Sequence, residues 1–326
     1  MEKKYFSKLG LMYFIGAIII YAVQLVGISI GNAVAPMYMA DGSFATMSYM
    51  LPMYLIGYPI MIALIKRVPV AEGAIQKKKM TVGQWIVAFI MSFALVYIGN
   101  ILGTVITTII GVFKQSSVEN PIVNVTMQLN MVTMLVFMVI LAPIVEEFIF
   151  RKLLIDRASK YGEGLAIVLS GAMFGLFHAN LNQFAFTFIM GCFYGFIYTR
   201  TRNVLHTILL HMLNNFMSSI VAMFVMEKSG FLEQATAMET ASVEELTNMV
   251  TANMGGIMLF FGYALILFVL VIIGVILLIV KRKKFVVNHT EEELPKGKRF
   301  STVFLNVGMI LFCGLMIVQI VMQLFA

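Results

Sequence analysis

Nine apolar runs, separated by short charged or polar loops, decide what this chain can fold into. They cover about residues 9–36, 47–65, 83–113, 128–150, 164–179, 184–199, 203–226, 257–280 and 303–325. Roughly 20 apolar residues carry a helix across a bilayer. Inside hydrocarbon the backbone must satisfy its own hydrogen bonds, which a helix does within one segment. The expected fold is therefore all-α, a polytopic transmembrane helix bundle of about nine spans. The fifth and sixth runs are short for that role. A soluble fold could not hide this surface, because 60% of the residues are hydrophobic and only 12% charged. Lys3, Lys4 and Lys8 give the N-terminus the look of a signal sequence. The run behind them is long and lacks a small-x-small cleavage site, so it reads as a retained first span.

The loops then set an orientation. Basic residues cluster at Lys3/Lys4/Lys8, at Lys66/Arg67 with Lys77–Lys79, and at Arg151/Lys152/Arg157/Lys160. They cluster again at Arg200/Arg202 and at Lys281–Lys284 with Lys296–Arg299. The alternate loops are poor in them: 37–46 has no Lys or Arg, 114–127 has only Lys114, and 227–256 holds five glutamates and one lysine. Basic loops stay cytoplasmic, so nine spans place the N-terminus inside and the C-terminus outside the cell membrane. The formal charge of +7 then belongs to these loops and to anionic headgroups, not to nucleic acid. Cys192 and Cys313 lie within apolar runs and read as small hydrophobes rather than a disulfide. In the acidic outer loop, Ser242-Val-Glu-Glu245 reads as a capping box that opens a short surface helix.

Polar residues inside the spans carry the chemistry. Pro143-Ile-Val-Glu-Glu-Phe-Ile-Phe-Arg151 ends the fourth run, and a charge near the bilayer centre costs at least about 2.5–3.5 kcal/mol. On a helix Glu147 and Arg151 are one turn apart and can pair. Glu146 lies about 100° away and faces elsewhere. Phe174 and His178 share a face at i, i+4, and so do His211 and Asn215. Lipid satisfies none of these groups, so three spans should turn them toward one polar interior cavity. His206 and Asn214 read as interhelical hydrogen bonders, and His289 as a solvated loop residue.

A carboxylate and an imidazole can hold a water and take its proton as it attacks a carbonyl. A second imidazole and an amide NH₂ can donate to the oxyanion that forms. Glu146, His178 and His211 could instead ligate a divalent metal such as zinc, with an open position for water. Helical spacing does not separate the two versions. Depth raises a question. Glu146 is about 8 Å along its helix from Arg151, taken as a cytoplasmic marker, whereas His178 is about 22 Å from Glu163. The fifth helix must start inside the cytoplasm, tilt, or be recessed.

Glu146-Glu147-Phe-Ile-Phe-Arg151, Phe174-Gly-Leu-Phe-His178 and His211-Met-Leu-Asn-Asn215 resemble, in order, the EExxxR, FxxxH and HxxxN motifs of the CPBP family. These intramembrane proteases are also called Abi or CAAX amino-terminal proteases. The resemblance implies a CPBP/Abi-like catalytic core at 128–226, between N-terminal transmembrane helices at 1–127 and an acidic outer loop with C-terminal helices at 227–326. It also implies an endopeptidase site buried on the cytoplasmic side of the membrane. Glu146 and His178 would activate water, and His211 and Asn215 would form the oxyanion hole, with Glu147, Arg151 and Phe174 as structural support. The family is often labelled metalloprotease, and a metal-free glutamate mechanism is also argued for it. Lys152 stands where many bacterial members have glycine.

The leading expectation is thus a membrane protease of a membrane-embedded or membrane-delivered peptide, CAAX-like or bacteriocin-like. A proton-coupled transporter and a non-proteolytic immunity or regulatory partner are the alternatives. A transporter should show paired repeats with broken helices, and none is visible. A silent homologue should have lost motif positions, and all three motifs are intact.

Overall fold

A computed structural model describes residues 1–70, 77–230, 242–290 and 292–325. Eight of its helices are long and apolar enough to cross a membrane. These are α1 (Glu2–Val34), α2 (Gly42–Lys66), α3 (Val82–Lys114), α5 (Met131–Tyr161), α7 (Leu181–Thr201), α8 (Val204–Ser229), α10 (Met254–Lys284) and α11 (Val307–Phe325). Three shorter helices join them: α4 (Pro121–Gln128), α6 (Glu163–Phe177) and α9 (Val243–Ala252). No strand occurs among the described residues. The chain is an integral membrane helix bundle. The fifth expected span is α6, whose 15 residues reach only about 22 Å.

Asparagine, serine and threonine start these helices. Thr81 and Gln84 form a capping box at α3, Asn180 caps α7, Asn203 caps α8 and Asn130 caps α5. Each side chain accepts one of the N–H groups that the first turn leaves unpaired. The expected box at Ser242 is present and opens α9. Of the outer loop at 227–256, residues 231–241 lie outside the described residues, as do 71–76 of the loop at 66–81.

The basic loops meet at one end of the bundle. Tyr5 donates to the carbonyls of Pro69 and Arg157, and the Lys78 N–H donates to Thr201 O. Arg200 donates to Glu163 and Val286 O, and Lys160 pairs with Glu292. At the other end Lys114 donates to Leu324 O, Gln323 to Glu119 O, and the Asn130 N–H to Ser43. Successive helices therefore alternate in direction as the charge pattern requires.

Prolines reshape two helices. In α2 the residues Met53–Gly57 form a π-helical turn just before Pro59, and in α5 Leu135–Leu141 form one just before Pro143. A proline removes the N–H that the carbonyl four residues back would bind and clashes with it, so the preceding turn widens. A second π-helical stretch, Phe148–Leu153, follows Glu147. Wide turns free carbonyls, and neighbours use them. Tyr54 donates to Phe137 O, Asn215 to Met138 O, Tyr13 to Ile149 O and Ser170 to Phe150 O. Four other helices are thereby pinned to α5 on either side of its glutamates.

Helices α6 and α7 form a close hairpin. A Cβ at Gly191 would lie 2.9 Å from Gly171 Cα, so only small residues allow this approach. The tip is recessed. Asn182 lies beside Gly103 and Thr107 of α3, and Thr107 is about 10 Å short of that helix's end at Lys114. His178 follows α6 at this tip.

Candidate active site

A cavity of about 600 Å³ opens inside the bundle, and Glu146, His178, His211 and Asn215 all line it. Helix α5 brings Glu146 from its short α-helical stretch Ala142–Glu147, held between the two π-helical turns. The α6 C-cap supplies His178. His211 and Asn215 close the α-helical part of α8, where another π-helical turn, Phe216–Val221, begins. Ser218 and Ser219 donate there to the carbonyls of Asn214 and Asn215, which loosens the helix ladder at that point. Residues at π-helical turns are frequent in functional sites.

The two glutamates have different surroundings. Glu147 and Arg151 are fully buried, with Arg151 Nε 3.0 Å from Glu147 Oε2. The N–H direction misses that oxygen, so the pair is a charge–charge contact rather than a directional hydrogen bond. The Arg151 guanidinium also lies 4.2 Å from the centroid of Phe174 and 5.9 Å from that of Tyr194, faces that attract a desolvated cation. Glu147 does more than pair with Arg151: its Oε1 is 3.0 Å from His211 Nδ1. Glu146 keeps 15% of its side chain accessible, and its Oε2 is 3.9 Å from His211 Nε2.

The histidine tautomers follow from their partners. His178 Nδ1 is 2.9 Å from Phe174 O. A carbonyl only accepts, so Nδ1 carries the hydrogen and Nε2 of the neutral ring is left as an acceptor. A carboxylate likewise only accepts, so His211 Nδ1–H donates to Glu147 and Nε2 is the nitrogen nearest Glu146. Asn215 donates one N–H to Met138 O at 2.9 Å, leaving its second. Phe174 supports both rings, edge-on to His178 at 4.8 Å and to His211 at 6.0 Å.

One sequence expectation needs correction. Arg151 is not a cytoplasmic marker: it is fully buried and ten residues from the end of α5 at Tyr161. Glu146 is then about 20 Å from the basic end, close to the roughly 22 Å of His178 from Glu163, and the mismatch in depth disappears. Glu147 has a second partner outside its own helix. It sits at mid-helix and joins Arg151 to His211, a pairing that spacing within one helix could not reveal. His206 accepts the Met80 N–H, and Asn214 lies 2.8 Å from Tyr194 Oη and 2.9 Å from Ser92 Oγ. Asn214 is an interhelical hydrogen bonder as expected, whereas His206 ties α8 to the loop ahead of α3. His289 is solvated, beside Glu293.

A zinc site needs at least three protein ligands converging on one point. Among the described residues no three His, Cys, Asp or Glu side chains are so arranged. Glu146, His178 and His211 as placed do not fit a metal centre.

The cavity also has a direction. From the site it runs along Met138, Ala142, Ser218, Ala222 and Met226 toward α4, at the end away from the basic loops.

Residues 128–217 match the family model of type II CAAX prenyl endopeptidases, Rce1-like. A curated relative, the putative membrane peptidase YdiL of Bacillus subtilis (strain 168), is 31% identical over 105 residues. That match covers 31% of this chain and 41% of the relative's length. No solved structure matches the chain. The family match spans all three motifs, and both likenesses are to peptidases.

Proposed function

We propose that this chain is an intramembrane endopeptidase that hydrolyses a peptide bond with a water activated by Glu146 and His178. The observation that carries this reading is the convergence of four residues from three separated motifs on one cavity. His178 Nε2 accepts from the water and orients it, and the Glu146 carboxylate removes its other proton as the oxygen attacks the peptide carbonyl. The oxyanion accepts from the free N–H of Asn215 and from His211 Nε2–H. For that donation His211 acts as the imidazolium, its Nδ1–H held by Glu147. Glu146 then passes its proton to the departing amine. No step is routed through a metal, since the donor set does not fit one.

The substrate is a membrane-embedded or membrane-delivered peptide, reached by a protein lying in the cell membrane with its basic loops in the cytoplasm. Proteolysis of membrane peptides by the purified protein, with and without a chelator, tests this reading. Cleavage that persists in chelator and is lost in Glu146→Gln is expected. Stoichiometric zinc whose removal stops turnover would overturn the metal-free mechanism, and normal cleavage by Glu146→Gln would overturn the assignment of the base.

A further inference from the structure

A cleft opens at the basic end of the bundle, and Lys78, Lys79, Arg200, Lys281 and Lys284 reach it from three separate stretches of chain. They belong to the loop ahead of α3, the last turn of α7 and the end of α10. Loops on this side are expected to be basic, but convergence on one hollow is not part of that rule. The lining has no Asp or Glu among the described residues. Glu163, which touches Arg200, is already occupied: Arg200 donates to it at 2.7 Å and the Asn288 N–H at 2.8 Å. Lys78, Lys79, Lys281 and Lys284 make no ion pair among the described residues. Four ammonium groups therefore share one cleft without a counter-charge.

The cleft is too deep for a headgroup alone. Its walls follow α3 from Gly83 to Met91 and α7 from Thr201 back to Phe193, about 12 Å along each helix. The interfacial layer on one side of a bilayer is only about 5–8 Å thick. Below that depth the lining is apolar, with Val87, Ala88, Met91, Phe193 and Ile197. Phe285 closes one side, its ring 5.0 Å from that of Phe196 and 6.1 Å from that of Phe193. The bottom lies where α10 pinches against α3: a Cβ at Gly274 would sit 2.5 Å from Ile90 O. Only 6% of the apolar window of α10 is buried, so lipid lies directly beside the cleft.

Free ammonium groups above an apolar slot narrow the choice of ligand. A free phosphate would meet the lysines and leave the apolar walls uncovered. A lipid without net charge would cover the walls and leave the lysines unmatched. We propose that the cleft binds one anionic phospholipid, its phosphate among Lys78, Lys79, Lys281 and Lys284 and an acyl chain on Val87, Met91, Phe193 and Phe196. Basic pockets between transmembrane helices on the cytoplasmic side suit such headgroups. Bound there, the lipid joins the loop ahead of α3 to the ends of α7 and α10. This lining and that of the cavity around Glu146 share no residue, and the proposal does not depend on the proteolytic reading.

Native mass spectrometry of the full-length protein tests the site. The protein is released from micelles holding phosphatidylglycerol and phosphatidylcholine in equal amount and with the same acyl chains. One phosphatidylglycerol should stay bound in preference to phosphatidylcholine. In Lys281→Gln, Lys284→Gln the affinity for that first lipid should fall by about five- to thirtyfold, the equivalent of about 1–2 kcal/mol. Lys3→Gln, Lys4→Gln removes the same charge from the same end outside the cleft and should bind the lipid as the parent does. Equal retention of the two lipids, or an equal loss in the two double variants, would overturn the site, because anionic lipid would then gather at the basic end as a whole. Val87 is half-buried, and Val87→Phe fills the slot while keeping every lysine, so it should weaken phosphatidylglycerol binding too. Undiminished binding in Val87→Phe, or displacement of the lipid by inorganic phosphate, would overturn the assignment of a lipid.

Discussion

The midplane cavity and a second hollow, a cleft at the basic end, enclose about 600 and about 570 Å³. Similar volumes conceal opposite chemistry. The cleft lies where α3 begins and α7 and α10 end, and Lys78, Lys79, Arg200, Lys281 and Lys284 line it without one acidic residue among those described. Among the described residues Glu146 is the one acid in the lining of the midplane cavity, and no lysine or arginine stands beside it. Depth explains the contrast. Near the ends water and headgroups solvate a lysine, so it needs no fixed partner. At the midplane a charge needs a partner held in place, as Arg151 has in Glu147 and Phe174. A substitution should therefore have large, specific effects in the first region and small, salt-dependent ones in the second.

The sharpest test of that comparison is Glu146→Gln, which keeps size and hydrogen bonding but removes the base. Cleavage should fall by about 10²–10⁴-fold while the melting temperature stays that of the parent. Next is Arg151→Ala, which strands a buried carboxylate. Breaking a buried pair typically costs about 3–5 kcal/mol, to be read as a loss of thermal stability in detergent. Replacing Glu147 and Arg151 together should recover part of the stability but not the activity, because His211 would still lack its acceptor. An Arg151→Ala protein as stable as the parent would erase the distinction between the two regions.

A smaller effect is expected one layer from the chemistry. Asn214 is buried, and its Nδ2 lies 2.8–2.9 Å from Tyr194 Oη, Ser92 Oγ and Leu210 O. Asn214→Leu leaves the Tyr194 hydroxyl without this partner, at a cost of about 1–3 kcal/mol. Adding Tyr194→Phe should return much of it. If the double variant is no more stable than Asn214→Leu alone, the hydroxyl is not what the asparagine satisfies.

The sequence carried the bundle and the motif residues because hydrocarbon punishes every polar group that does not turn inward. Eight long spans, the short α6 and the direction of the charged loops were legible for that reason. Rotations between helices were not. The Glu147–His211 bond joins α5 to α8, and no period within either helix encodes it. The depth of Arg151 was misread because an arginine after an apolar run usually marks the interface. A signal that could have corrected this is Pro143, whose wide turn frees the Phe137 carbonyl that Tyr54 takes.

The smallest expected effect lies in the cleft, and it is the one that tests the other half of the comparison. Lys281 and Lys284 stand at its rim, with Val87, Met91, Phe193 and Phe196 as apolar walls below. They are solvated and make no ion pair among the described residues, so replacing both with Gln removes no fixed contact. In detergent or in neutral phosphatidylcholine the melting temperature should shift by no more than about 0.5 kcal/mol of stability, as for other surface changes. Anionic lipid attracts a lysine near its surface by about 1 kcal/mol each. Any stabilisation that the parent gains in phosphatidylglycerol should therefore shrink by up to about 2 kcal/mol in the Lys281→Gln, Lys284→Gln protein. That difference should fade in high salt, where surface charges are screened. Peptide cleavage should be unchanged in neutral lipid. A large loss of stability or activity there would mean that the cleft lysines hold the structure as Arg151 does, and the two hollows would no longer differ in kind.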